Sequence, residues 1–391
     1  MPKLIQRLKQ MPCLYQLRNL KRMVLAHYQS PNTAGIKLSG HYLVFESDDW
    51  GNVRVPNRQT YDYLMRQGIT MDREAFVHYD CLESSEDLNR LFGVLQKYHD
   101  HLGHYPVFTA NCVLKNPDFA TICAHNVQEY ADETFVDTYK KYPQRQDTFA
   151  IWCQGMQEGL WHPQLHGREH YQTANWLRVL QKDEHLQELC RLGMVNSYAE
   201  RPNLFFMDAF SYNGSGATVI LEKILAEACT LFQQFFGYVS TSFVACCYVW
   251  DKILEPLLLK NGIYTIQGGW LQFCPEQDQQ AKHFTCIRHA MGEKNALGQV
   301  YLVRNCLFEP SEFFDGNREI ALERCLFQIK DAFAHGKPAV ISTHRENYIG
   351  TIFPENSAIN LRLLDRLLQT VLHRWPDVEF ITSDVLGGKL K

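Results

Sequence analysis

The feature that most narrows the possible folds is a repeating order of elements. Short apolar, β-prone runs at 42–45, 107–110, 238–244, 264–267, 339–342 and 379–382 alternate with helical patterns at 86–98, 218–236, 250–261, 317–335 and 361–374. Strand and helix in alternation predict an α/β fold on a mainly parallel sheet, because parallel neighbours need a long crossover that a helix can fill. Local signals agree. Ser84-Ser-Glu-Asp87 offers a capping hydroxyl and acids for a first helical turn. Asn261-Gly262 supplies a left-handed stop before the strand at 263–266. Polar, Gly-containing stretches at 200–217 and 268–300 read as long loops, which in α/β barrels build the site.

The chain has 391 residues, 46% of them hydrophobic, enough for a large core in one barrel or in two or three domains. A net charge of −4 argues against a general nucleic-acid binder, which needs a basic stripe to replace phosphate counterions. The charge is uneven. Lys3, Arg7, Lys9, Arg18, Lys21, Arg22 and Lys37 precede the first carboxylate, Glu46. A basic helical arm over 1–39 is expected, either packed with its charges in water or touching an anionic membrane surface or a partner. Charges interrupt its apolar residues Leu4, Leu8, Met11 and Leu14, so it is neither a signal-peptide core nor a membrane span. The 13 cysteines contain no CxxC pair and read as reduced thiols of a cytoplasmic protein.

Three stretches carry candidate chemistry. In Tyr42-Leu-Val-Phe-Glu-Ser-Asp-Asp-Trp-Gly51 an apolar strand runs into two adjacent acids. Burying both costs several kcal/mol unless cations or donors compensate, so Asp48 and Asp49 read as metal ligands or acid/base groups, or else as a turn with one capping Asp. In Trp161-His-Pro-Gln-Leu-His-Gly-Arg-Glu-His170, the spacing of four, on a helix or at a loop-to-helix junction, puts imidazoles on one face and His166 and His170 within reach of one divalent ion, with Pro163 leaving His162 upstream in a strand or turn; ordinary surface or core histidines are the other reading. His344 follows the strand at 339–342, where a barrel presents active groups or simply a structural hydrogen bond. The Gly-rich loop at 212–217 lacks the Lys and spacing of a phosphate loop. Cys246-Cys247 could hold a nucleophile, but in an apolar stretch reads as buried small hydrophobes. Trp50, Trp250 and Trp270 could stack on a sugar or pack in the core.

Taken in order, these motifs resemble the polysaccharide deacetylase family, the NodB-like carbohydrate esterases, over residues 40–391. Thr241-Ser-Phe-Val-Ala-Cys-Cys-Tyr248 is similar to that family's third motif, and Val378-Glu-Phe-Ile-Thr-Ser-Asp384 to its closing strand. The resemblance implies a distorted (β/α) barrel with long loop insertions, here at about 50–160 and 268–300. It implies one divalent cation, commonly zinc, held by Asp49, His166 and His170. Asp48 then falls on the catalytic base, His344 on the general acid, and the Tyr248 backbone N–H on an oxyanion donor. Trp50, Arg168, Arg345 and Trp250 are the expected substrate contacts. The implied reaction removes an acetyl group from an N- or O-acetylated sugar or polysaccharide precursor. Two departures are visible. The third motif lacks the Arg that holds the base, leaving Arg168, Arg288 or Arg345 as substitutes, and no Asp matches the fourth motif, which tunes the general acid. A catalytically impaired carbohydrate-binding barrel is one alternative. A glycoside hydrolase, with Glu46, Glu169 or Asp251 as a second acid, is the other.

Overall fold

The computed structural model describes residues 30–197, 205–212, 214, 216–275, 284–313 and 316–391. Its centre is one sheet whose strands, in chain order, are β1 (His41–Trp50), β2 (Phe108–Val113), β3 (Trp161–Gly167), β4 (Ser242–Val244), β5 (Thr265–Gly268), β6 (Val300–Val303), β7 (Cys306–Leu307), β8 (Ala339–His344) and β9 (Val378–Phe380). The spatial order is β6-β5-β4-β3-β2-β1-β8-β7, with β9 beside the start of β1. Every pairing within it is parallel. No pairing joins β6 to β7 among the described residues. The sheet is therefore a distorted, open (β/α) barrel, as the resemblance implies.

Parallel strands are covered on both faces and become almost wholly apolar. The β1 residues Leu43, Val44 and Phe45 and the β8 residues Val340 and Ile341 are at most 1% exposed. Helices Ser85–Leu95, Ala217–Phe236, Glu319–Ala334 and Pro354–Arg374 lay apolar stripes on the sheet, among them Leu221, Leu225 and Phe232, then Leu322, Cys325 and Ile329. The first begins in a capping box, with Ser84 accepting from Asp87 N–H and Asp87 from Ser84 N–H. Gly262 ends another helix at φ +85°.

The segments between strands are more structured than loops. Residues 50–160 contribute β2 itself as well as helices, and 268–300 contains an antiparallel hairpin, Leu271–Pro275 with Phe284–Arg288. A second apolar cluster gathers Val55, Leu64, Met71, Ile122, Trp176 and Leu189 with Ile349 and Ile352. Val55 follows β1 and Ile349 follows β8, so this cluster roofs the C-terminal ends of the strands. The expected arm at 1–39 lies outside the described residues as far as residue 29. Residues 30–39 pack on the barrel: Asn32 is buried and donates to Asp331 at 2.8 Å, and Leu38 N–H to the Gly336 carbonyl. Among the described residues, no helix is long and apolar enough to cross a membrane.

Candidate active site at the strand ends

Adjacent residues of a regular strand point to opposite faces, so Asp48 and Asp49 could not both serve one site without an irregularity. The chain supplies one. Asp48 is in register with His344 of β8, while the pairing with β2 slips between Ser47 and Trp50. Asp49 sits at φ 75°, a left-handed conformation that Asp tolerates better than most residues. This bulge turns both carboxylates toward the C-terminal end of the barrel. Gly51 follows at φ +79°, where a Cβ would come within 2.9 Å of the Val113 carbonyl oxygen.

Asp49 faces the two histidines expected to join it. Its Oδ1 lies 2.9 Å from His170 Nε2 and 3.4 Å from His166 Nε2, while Oδ2 accepts from Arg54 at 2.8 Å. His166 Nδ1 lies 2.9 Å from the Val244 carbonyl, which can only accept, so that nitrogen carries the proton and Nε2 is aimed at Asp49. Two imidazole nitrogens and one carboxylate oxygen around a common point form a donor set that suits zinc. Ligands ~2.1 Å from such an ion stand ~3.4 Å apart in tetrahedral geometry, against 3.4 and 2.9 Å here. Burial opposes charge on His166, yet Cys246 and Asp49 outweigh it and push the imidazolium up to about 9. The point between these side chains favours positive charge, and the residues fit a cation. Cys246 Sγ also lies within 4.8 Å of nitrogens of both histidines, a soft donor close to the same group. His170 Nδ1 is buried with no hydrogen-bond partner among the described residues, so Asp49 and packing orient that ring.

Asp48 is held by Arg304, just beyond β6. Nη1 and Nη2 donate to Oδ2 and Oδ1 at 2.6 and 2.7 Å, and Nε donates to Glu46 at 2.6 Å. Asn111 adds a bond to Asp48 Oδ1 at 2.8 Å. Burial pushes the Asp48 carboxyl up, but the Arg304 fork outweighs it and holds the group well below the usual carboxylate range. The expected substitutes Arg168, Arg288 and Arg345 are all elsewhere. Arg168 pairs with Glu169 and Glu227, Arg288 lies over Trp270, and Arg345 is fully buried between Asp80 and Glu83.

His344 stands on the other side of Asp48, with Nε2 3.8 Å from Oδ2. Its Nδ1 meets Glu309 Oε1 at 2.6 Å, and Asn347 donates to the other Glu309 oxygen at 2.5 Å. Burial opposes protonation of His344, but Glu309 outweighs it and raises the imidazolium well above its ordinary range. Glu309, two residues past β7, is the carboxylate that holds this imidazole. A small cleft lined by Arg54, Phe76, Tyr171, Met194 and Asn196 lies beside these groups, and Phe76 lies edge-on to His344 at 5.1 Å.

Several expected contacts lie in the interior instead. Trp50 is 1% exposed, donates to Ser47 Oγ and meets Trp161 edge-on; Trp250 is 2% exposed and lies parallel to His289. Neither offers a face to a sugar. Arg345 is likewise unable to touch substrate. The Tyr248 N–H donates to the Ala245 carbonyl at 2.9 Å inside a tight turn, so it is not directed at an oxyanion. Its phenol oxygen instead accepts from Arg304 Nη1 at 3.0 Å. His162 pairs with Asp384, away from the other two histidines.

No family model matches the chain, and no curated protein does. Among solved structures, the chain is similar to a protein from Mycobacterium smegmatis assigned to the polysaccharide deacetylases, at 10% identity and TM-score 0.42 over 92% of this chain and 94% of that one. It is similar to a Parabacteroides distasonis protein assigned as a glycoside hydrolase/deacetylase, at 9% identity and TM-score 0.45 over 91% and 72%. It is also similar to PuuE allantoinase, at 10% identity and TM-score 0.43 over 92% of each chain.

Proposed function

We propose that this chain is a metal-dependent hydrolase that removes an acetyl group from an N- or O-acetylated sugar or polysaccharide precursor. The observation that carries this reading is the separation of charges around one point. Asp49, His166 and His170 face one another, Asp48 is locked as an anion by Arg304, and His344 is locked as a cation by Glu309. Neighbouring titratable groups whose environments push them apart mark an acid and a base. A divalent ion held by Asp49, His166 and His170, zinc by the chemistry of the set, supplies Lewis acidity at the acyl carbonyl.

The other roles belong to the chain. Asp48 Oδ2 keeps a second lone pair beyond its bond to Arg304 and accepts the proton of the attacking water. His344 delivers its Nε2 proton to the departing amine or alcohol, and Glu309 steadies the ring through both protonation states. Arg54 fixes Asp49 by taking one oxygen, which leaves the other for the ion. Tyr248, tied by its phenol to Arg304, borders the same space. The bidentate hold of Arg304 on Asp48 supports a working base over an impaired barrel. The glycosidase candidates are otherwise engaged: Glu46 by Arg304 and Ser383, Glu169 by Arg168, and Asp251 by capping Ile253. The described cysteines are all free, which suits a cytoplasmic setting.

The test is acetate release from acetylated chito-oligosaccharides and O-acetylated xylo-oligosaccharides by zinc-loaded protein. Asp48→Asn and His344→Gln should each lose about 10² to 10⁴ of the rate while still binding zinc. Reducing ends without acetate would establish a glycosidase instead, and sugar binding without turnover an impaired barrel.

A further inference from the structure

Glu346 is the acid of this region whose charge goes unanswered. It is 1% exposed, its Oε2 is buried with no hydrogen-bond partner among the described residues, and its Oε1 accepts only a long bond from Asn347 at 3.3 Å. The neighbouring acids are matched: Asp49 by Arg54, Asp80 by Arg54 and Arg345, Glu83 by Arg345, and Glu309 by His344 and Asn347. Burial and the charges of Glu309, Asp80 and Asp49, opposed by His344, raise the Glu346 carboxyl well above the usual carboxylate range. A buried carboxyl in such company is neutralised, by a proton or by a cation. The geometry offers a place for one. A Glu309 oxygen, a His344 nitrogen and a Glu346 oxygen lie within 4.8 Å of one another, and all three residues are buried or nearly so.

We propose that Glu309, His344 and Glu346 form a second divalent-cation site, separate from Asp49, His166 and His170, whose filling removes His344 from proton transfer. The two sites differ in readiness. At the first, donor atoms 2.9 and 3.4 Å apart need little movement to share an ion. At the second, Glu309 Oε1 and His344 Nδ1 are 2.6 Å apart with a proton between them. An ion enters there only as that proton leaves to solvent and the pair widens, so binding is weaker and releases a proton. With the ion on Nδ1, giving up the Nε2 proton would leave a metal-bound imidazolate instead of the neutral ring that Glu309 steadies, so His344 no longer serves as the acid. Excess zinc then inhibits; this consequence, unlike the binding itself, rests on the hydrolase reading.

The experiment titrates metal-free full-length protein with zinc by calorimetry and with cobalt by visible absorption. Wild type should take two equivalents, the second at least tenfold weaker. Glu346→Gln and, separately, Glu309→Gln should keep the first and lose the second, while Asp49→Asn should lose the first and keep the second. Saturation of wild type at one equivalent would overturn the proposal. So would a second equivalent that survives in both Glu346→Gln and Glu309→Gln. If the protein turns over substrate, high zinc should inhibit wild type and spare Glu346→Gln; inhibition equal in both would also overturn the proposal. Absence of turnover in every variant would count against the hydrolase reading and leave the binding counts standing.

Discussion

Replacing Arg304 by methionine tests the electrostatic reasoning most severely, because one guanidinium answers two interior acids. Its nitrogens lie 2.6 Å from Glu46 and 2.6 Å from Asp48, and the three side chains are at most 5% exposed. Methionine keeps much of the length and removes the charge, leaving Glu46 with Ser383 and Asp48 with Asn111. Breaking a buried pair costs about 3–5 kcal/mol, and two carboxylates losing one partner place the expected loss near the upper figure. Urea unfolding at pH 7.5 measures it. A Glu46→Gln, Arg304→Met double mutant should be less damaged than the sum of its parts, with a coupling of about 1–3 kcal/mol. The deficit should also shrink as pH falls. Without Arg304 the carboxyls sit above their unfolded values, so the native state binds protons first and stability declines as pH rises. Arg304→Lys keeps a charge but not the fork, and should fall between wild type and methionine. A methionine variant within 0.5 kcal/mol of wild type, or a cycle with no coupling, would refute the claim that these charges depend on one another.

Three further outcomes follow from the geometry. Glu309→Gln removes the anion that raises His344, so the alkaline limb of the pH–rate profile should move to lower pH and the rate fall about 10 to 100-fold, the usual cost of losing an orienting partner. Trp50→Ala should cost about 3–5 kcal/mol in stability by opening a cavity against Trp161, and any residual KM should be unchanged, since the ring meets no substrate. Burial holds the His78 imidazolium down to about 4 against the pull of Asp72. Its folded value is below the unfolded one, so stability should rise with pH between about 4 and 6.5, and His78→Gln should flatten that slope in unfolding measured across this window.

Much of the architecture is legible where an apolar run is long. The strands expected at 42–45 and 339–342 are there, and both continue into the polar residues that matter, to Trp50 and His344. Strand β3 is harder to read, because His162, Pro163, Gln164 and His166 break its apolar run. Pro163 is tolerated because the described pairing with β4 is at Leu165, so its missing N–H costs that ladder nothing. The aspartates and histidines announced themselves by clustering, whereas Arg304 lies 256 residues from Asp48 and no local spacing joins them. Tryptophan was misleading for an opposite reason: large rings near a site look like platforms, yet their apolar area is what a wide barrel needs in its core.

Arg304 and Glu309 nonetheless follow the same grammar as Asp48. Val300-Tyr-Leu-Val303 is an apolar run ending directly in Arg304, and Cys306-Leu-Phe308 ends in Glu309, just as Leu43-Val-Phe45 leads into Glu46-Ser-Asp-Asp49. The runs at 300–303 and 306–308 are only four and three residues long and stand next to what reads as a loop, so they are easily passed over. In a parallel barrel, however, even a two-residue strand such as β7 delivers the residues beyond it to the same rim as a ten-residue strand. Strand length sets how much core is buried, whereas the residues at the strand's C-terminal end and just beyond it set what reaches the site. The base and its arginine, and the acid and its glutamate, therefore meet because four strands of unequal length end on one edge, not because their sequence neighbourhoods resemble one another.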